Sequence, residues 1–360
     1  MRCEGALTVG GRSRGVAGPR EDEEERIALR VDLLTAVSGE RLAQKALVLG
    51  QDAPIGRWAT VTSYDPGWPS CQAPAMHARI EEVVGARVTR LEHVQGRGYT
   101  HAGRHRAFLA DGRTVFVKSA VDDLSAGWLR TEIAVYTALR GSFLPEFHGW
   151  AEHDGLPLIV LEDLGDAHWP PPWREGDVDS VKRALADIAA TAPPAGLERV
   201  PRDTLAFEWR EVERDPEPFL SLGVCTRAWL DEHLPALREA AERAPFDGGE
   251  LLHLDVRSDN IALRNGGAVL VDWNWACAGN ALLDVVAWAP SLHLEGGPRP
   301  EDVVDGEGVA EFASALSGFF AARAGLPPPE TAPRVRAGQR RQLAIALPWA
   351  SRALGLPGPG

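Results

Sequence analysis

Lysine is nearly missing from this chain: of 38 basic residues only Lys45, Lys118 and Lys182 are lysine, and the rest are arginine. Cysteine is scarce too. The four that occur, Cys3, Cys71, Cys225 and Cys277, stand far apart and without CxxC or Cys/His spacing. That excludes a zinc site of the usual spacing and argues against a disulfide framework. No run of about 18 apolar residues exists, which excludes a helical membrane span. The opening MRCEGALTVGGRSRG holds no apolar stretch of the kind a secretory signal needs, so the expected compartment is the cytoplasm. A basic excess is also lacking. With a net charge of −13, nucleic acid is not expected as the main partner, because a phosphate backbone asks for a basic surface.

A chain of 360 residues, 44% hydrophobic and 25% charged, has enough apolar material for one large domain or two lobes. Residues 1–75 differ from the remainder. They carry a net charge of only −1, which leaves −12 on residues 76–360. Such a charge either keeps the protein in solution or steers cationic ligands toward it. GGRSRGVAGPREDEEER lacks hydrophobic periodicity and SYDPGWPSCQAPA is turn-rich, so residues 1–75 read as a disordered or dispensable extension. The only methionine besides Met1 is Met76, just before the organised pattern begins, as a misassigned start would produce.

Beyond Met76, HARIEEVVG reads as a short helix, and VTRLEHV, HRAFLA and TVFVKSA as strands, with Asp111-Gly112 turning the second into the third. The loop Gln95-Gly96-Arg97-Gly98-Tyr99-Thr100 lies between the first two. SAGWLRTEIAVYTALR is a helix, and two further strands fall in LPEFHGWAEHDG and LPLIVLEDLG. After about residue 164 the pattern is helical: DVDSVKRALADIAATA, TRAWLDEHLPALREAAERA, EGVAEFASALSGFFAARAG and VRAGQRRQLAIALPWASRAL. One strand pair, NIALR and AVLVDW, interrupts it. The implied architecture is α+β, with a sheet-rich lobe, a helix-rich lobe and a cleft between them.

The densest chemical signal is LLHLDVRSDNIALRNGGAVLVDWNWA, with His253, Asp255, Arg257 and Asn260 spaced H-x-D-x-R-x-x-N and Asp272 closing an apolar strand. Asp255 and Asn260 sit at the two ends of a short loop. One amide oxygen and one carboxylate are hard ligands suited to Mg²⁺, with water and phosphate completing the shell. Asp255 is then a second carboxylate, free to orient a nucleophile and accept its proton.

This segment resembles the catalytic loop and metal-binding strand of the protein-kinase-like superfamily. The D-W at Asp272-Trp273, in place of D-F-G, and the following Gly279-Asn280-Ala281-Leu282-Leu283-Asp284 are similar to the aminoglycoside phosphotransferase and choline-kinase branch. The resemblance covers roughly residues 76–350 and implies a bilobal kinase-like fold. The N-lobe, residues 76–163, would be a small antiparallel sheet with one helix; the C-lobe, 164–360, would be mostly helical and carry the catalytic loop and acceptor site. Val115-Phe116-Val117-Lys118 resembles the strand-three lysine motif. Glu132 is the odd carboxylate on a Leu129/Ile133/Tyr136 stripe and needs a partner; Lys118 is the obvious one, and the pair resembles the lysine–glutamate ion pair that fixes nucleotide phosphates.

The implied ligands are ATP and Mg²⁺. Lys118, Glu132, Gly96, Gly98 and Thr100 would serve the phosphates, and backbone groups around Glu162 and Leu164 the adenine. Asn260 and Asp272 would bind the metal, and Asp255 and Arg257 would act in catalysis. Arg257 is the unusual one, expected to steady the transferring phosphoryl charge by about 2–4 kcal/mol. Leu254, where the branch usually has glycine, is expected to be tolerated. His253 and Asp284 read as structural, Asp259 as a solvated loop charge and Cys277 as a buried inert thiol.

The expected activity is transfer of the γ-phosphate of ATP to a hydroxyl of a small acceptor. Glu208, Glu211, Glu213, Asp215, Asp231 and Glu232 would suit a cationic one such as an aminoglycoside, although a merely acidic helix surface would look the same. Another amino alcohol, a sugar or a macrolide, or a nucleotide-binding pseudoenzyme, stays open. A protein kinase is disfavoured, because the short span from Asp272 to Asp284 leaves no room for an activation loop. Oligomeric state has no signature here. Removing residues 1–75 should leave cooperative unfolding and activity intact; loss of either in the truncated chain would show that the segment belongs to the fold.

Overall fold

The computed structural model describes residues 73–94, 102–328 and 335–360. The expected extension, apart from its last three residues, and the loop holding Gly96, Gly98 and Thr100 lie outside the described residues. Those last three open the first described helix, α1 (Ala73–Val84), so a cut after residue 75 falls in its first turn.

Five antiparallel strands follow: β1 (Val88–His93), β2 (Gly103–Leu109), β3 (Thr114–Ser119), β4 (Phe147–His153) and β5 (Leu156–Glu162), in the order β1-β2-β3-β5-β4. The Asp111-Gly112 turn sets β2 against β3 so that Arg104 lies directly opposite Lys118. Alternation then sorts the side chains. Val115, Val117, Leu158 and Val160 face α1, packing on Met76 and Ile80, while Ile159 and Leu161 join the larger core on the other side. On that side lies α2 (Asp123–Ala138), begun by a capping box in which Ser125 N–H donates to Asp122 Oδ1 at 2.7 Å. This helix packs against β5 and against the turn at Trp273–Trp275.

The second lobe is built on α3 (Asp177–Ala189), α4 (Arg227–Arg243), α5 (Leu282–Leu294), α6 (Val309–Ala324) and α7 (Val335–Ala353). Helix α6 is apolar on nearly every side and almost wholly buried, as befits a central helix wrapped by its neighbours. Between α3 and α4 the chain makes three short helices within 202–220 that periodicity did not reveal, because each is too short to repeat a face.

Two small sheets carry the motif segment: β6 (Glu250–Leu252) with β9 (Cys277–Gly279), and β7 (Ile261–Arg264) with β8 (Gly267–Leu270). The β6–β9 pair was not expected. The strand expected to end at Asp272 stops at Leu270; Asp272 itself sits at φ +67°, a left-handed conformation uncommon for a residue with a Cβ. Among the described residues no helix is long and apolar enough to cross a membrane. The two-lobed α+β architecture expected from the sequence is the one observed.

Candidate active site

The Lys118 ammonium lies between two carboxylates. It forms a buried ion pair with Glu132 of α2 and stands 2.8 Å from Asp272 Oδ1. Burial pushes the Glu132 carboxyl up, against the pull of Lys118. Burial acts on Asp272 in the same direction, but Lys118 and Arg104 outweigh it and hold that carboxyl below its ordinary value.

The loop from His253 to Asn260 is pinned at its start. Asp284, at the first turn of α5, accepts the backbone N–H groups of His253 and Leu254, each at 2.8 Å. Leu254 has φ +58°, a left-handed conformation that costs a side chain about 1 kcal/mol, and the Asp284 bonds hold it there. The His253 ring is fully buried, and burial drives its pKa down to about 4, so the imidazole is neutral. Its Nε2 lies 3.0 Å from Val271 O and its Nδ1 accepts from Asp255 N–H at 3.3 Å, a pair of bonds that requires the proton on Nε2. The ring thereby ties the Asp255 loop to the residue preceding Asp272.

Asp255 is buried. Asn260 Nδ2 donates to its Oδ2 and to its backbone carbonyl, both at 2.9 Å. Its Oδ1 makes no hydrogen bond among the described residues, with Arg257 Nη1 at 3.7 Å. Burial raises this carboxyl to about 7; Arg257 and Asn260 oppose the rise, while Asp259 and Asp272 add to it. Arg257 also grips Asp259, Nε to Oδ1 at 3.0 Å and Nη2 to Oδ2 at 2.5 Å. Asp259 is therefore a paired, largely covered carboxylate, not the solvated loop charge that was expected. At the far end of the loop, Ser258 Oγ donates to Glu295 at 2.6 Å, and Glu295 also accepts from Trp173 Nε1 at 3.0 Å.

Lys118, Glu132, Asp272, Asn260 and Asp259 line one cavity between the lobes. One end is polar, formed by Lys118, Glu132, Asp272, Asn260, Asp259 and Arg104; the other is apolar, with Phe116, Leu161, Leu164, Val271 and Trp169. Asp255 and Arg257 are not part of that lining. At the apolar end the expected backbone set divides. The Glu162 N–H is committed to Glu146 O at 2.8 Å, and its carboxylate pairs with Arg264 across the lobes. The Glu162 side chain is thus a strut between the lobes, and its N–H is not open to a base. The Leu164 N–H has no acceptor among the described residues, while its carbonyl receives Trp169 Nε1 and Ala167 N–H, each at 3.1 Å. A cavity with apolar side chains at one end, a backbone donor, and two cations, Lys118 and Arg104, among its polar lining suits a nucleotide.

The donors also fit a hard cation. With Nδ2 of Asn260 turned to Asp255, its Oδ1 receives no donor among the described residues, and Asp272, its carboxyl held below its ordinary value, lines the same cavity. Among the described residues no three His, Cys, Asp or Glu side chains gather to hold a metal by themselves, so a cation here would take its other ligands from phosphate and water.

Arg104 is the residue that sequence reasoning passed over: its Nη2 is 4.0 Å from Asp272 Oδ2. The hairpin register would have found it. Of the six acids named for a cationic acceptor, three are paired with arginines: Glu208 is buried on Arg323, and Glu211 and Glu213 pair with Arg214 and Arg238.

The chain belongs to the phosphotransferase enzyme family (APH), whose model matches residues 101–313. No curated protein matches it. Among solved structures, a choline/ethanolamine kinase family protein from Mesorhizobium loti has a TM-score of 0.51 at 14% identity, covering 79% of this chain and 98% of its own. An aminoglycoside phosphotransferase from Alicyclobacillus acidocaldarius gives 0.49 at 14% identity, covering 81% and 96%. A macrolide 2'-phosphotransferase from Brachybacterium faecium gives 0.43 at 15% identity, covering 78% and 90%. At 14% identity and a TM-score above 0.5, the first of these shares the fold. The protein is a small-molecule kinase of the bilobal protein-kinase-like fold, as its motif segment implied.

Two consequences can be measured. Asp284→Ala leaves two buried N–H groups without acceptors and should cost about 2–4 kcal/mol, read as a fall of several degrees in the thermal midpoint; Asp284→Asn, which keeps an acceptor, should lose less. The second concerns pH. Because the folded Asp255 carboxyl is raised above its unfolded value, its contribution favours the folded state at low pH and is lost as pH rises through about 7. Asp255→Asn should therefore be more stable than the parent at pH 8. That advantage should shrink by roughly 2–3 kcal/mol on acidification toward pH 5, as measured by urea unfolding of both proteins without nucleotide.

Proposed function

We propose that the protein moves the γ-phosphate of Mg²⁺–ATP to a hydroxyl of a small acceptor, with an aminoglycoside as the first class to test. The observation that carries this reading is the juxtaposition at the polar end of one cavity: Lys118 between Glu132 and Asp272, and Asn260, which is joined to a buried Asp255 whose Oδ1 has no donor among the described residues.

In this reading Lys118, oriented by Glu132, binds donor phosphate. Asn260 Oδ1 and Asp272 would hold the metal, which would supply positive charge against the phosphoryl oxygens. The Leu164 N–H and neighbouring hinge backbone receive the base, and the loop with Gly96, Gly98 and Thr100 serves the phosphates. Asp255 Oδ1 accepts the proton of the acceptor hydroxyl as its oxygen bonds to phosphorus and the bond to the leaving ADP breaks. A carboxyl raised to about 7 suits that task near neutral pH. Arg257, 3.7 Å from that carboxylate, steadies the charge that gathers beside it. The rest of the rate comes from positioning.

The pairing of Glu208, Glu211 and Glu213 with arginines weakens the local charge argument for a cationic acceptor, so the aminoglycoside assignment rests on family and net charge. Mg²⁺-dependent ADP release, measured with aminoglycosides, amino alcohols, sugars and macrolides, tests the reading. Stimulation by one class that disappears in Asp255→Asn is the expected result and names the acceptor. Tight ATP binding with no turnover across the panel would favour a pseudoenzyme, and failure to bind ATP would overturn the reading.

A further inference from the structure

We propose that Arg104 is a second phosphate-binding cation of the cavity, engaging the donor's polyphosphate beside Lys118; the proposal rests on the nucleotide reading above.

Three observations carry it. Arg104 lies directly across the β2–β3 ladder from Lys118, so the two side chains leave the sheet on the same face. Both reach one carboxylate from its two sides, Lys118 Nζ at 2.8 Å from Asp272 Oδ1 and Arg104 Nη2 at 4.0 Å from Asp272 Oδ2. Arg104 also lines the cavity, its side chain only 11% exposed, with Nη1 donating to Ala102 O at 3.3 Å.

Charge arithmetic then favours an incoming anion. The cluster of Lys118, Arg104, Glu132 and Asp272 is neutral as it stands. Both cations can therefore turn to a ligand carrying several negative charges with or without a divalent cation, which, taken up by Asp272, would only add further positive charge. The two cations are not equivalent. Lys118 is enclosed by two carboxylates, whereas Arg104 stands 4.0 Å from Asp272 and donates to Ala102 O. A guanidinium fork can bridge two phosphate oxygens, which an ammonium cannot do with the same geometry.

Calorimetric titration of the full chain with ATP and with adenosine tests this. Each is run with Mg²⁺ and again with the metal chelated, on the parent, Arg104→Met and Arg104→Lys. Arg104→Met should lose at least tenfold in ATP affinity in both conditions while adenosine affinity stays within twofold, and Arg104→Lys, which keeps the charge without the fork, should fall between the parent and Arg104→Met. A loss seen only with Mg²⁺ would mean that Arg104 merely orients Asp272. An equal loss for adenosine would mean that it shapes the base end, and no loss would mean that it does not meet the ligand; each of these overturns the proposal. Should Arg104→Met fail to fold, Arg104→Gln is read in the same way. A parent chain that binds no ATP overturns the nucleotide reading itself, whereas parent binding with an unaffected Arg104→Met overturns this proposal alone.

Discussion

An ammonium buried between two carboxylates is the constraint on which the site depends. Lys118 belongs to β3, Glu132 to α2 and Asp272 to the turn after β8, 14 and 154 residues away from the lysine in the chain. None of the three could be buried alone, since an unpaired charge taken from water would cost several kcal/mol or be neutralised. Their mutual satisfaction fixes the helix against the sheet and brings the second lobe's motif up to the first. Removing one partner of such a cluster is accordingly far more damaging than its net contribution suggests, because the remaining charges stay buried.

The rest of the site is held in arrangements that relaxed backbone would not adopt. Leu254 and Asp272 both carry side chains at positive φ, and each flanks a carboxylate of the site or is one. Asp284 and the neutral His253 ring supply the bonds that keep them there. At the loop's far end Glu295 does the same through Ser258. Strain held by surrounding bonds is a common sign of a functional position. The raised Asp255 carboxyl has the same origin, because the burial that makes it a suitable base also makes its charge costly.

Much of this was legible in the chain. The five strands, the helix bearing Glu132 and the long C-lobe helices follow from periodicities of two and 3.6. Glu132 announced itself as a carboxylate on an apolar stripe, and Lys118 as one of three lysines among arginines. Arg104 was available too: a hairpin turning at Asp111-Gly112 places it opposite Lys118 by register alone. Other features were not available. The Arg257–Asp259 grip and the Glu162–Arg264 strut depend on loop conformation and on how the lobes meet, which no local period records. The β6–β9 pair is three residues long on each side, too short for alternation to declare itself.

What the sequence determined by itself is the order of elements and the identity and spacing of the chemical groups, because these depend on local patterning and on which side chains the chemistry requires. Tertiary structure decided which charges pair, which carboxyls are raised and which backbone groups remain open. It paired Glu162 with Arg264, covered Asp259 and balanced Glu208, Glu211 and Glu213 with arginines. The reason is physical: a charge's energy is set by its desolvation and by neighbours within a few ångströms, and packing brings most of those neighbours from distant parts of the chain.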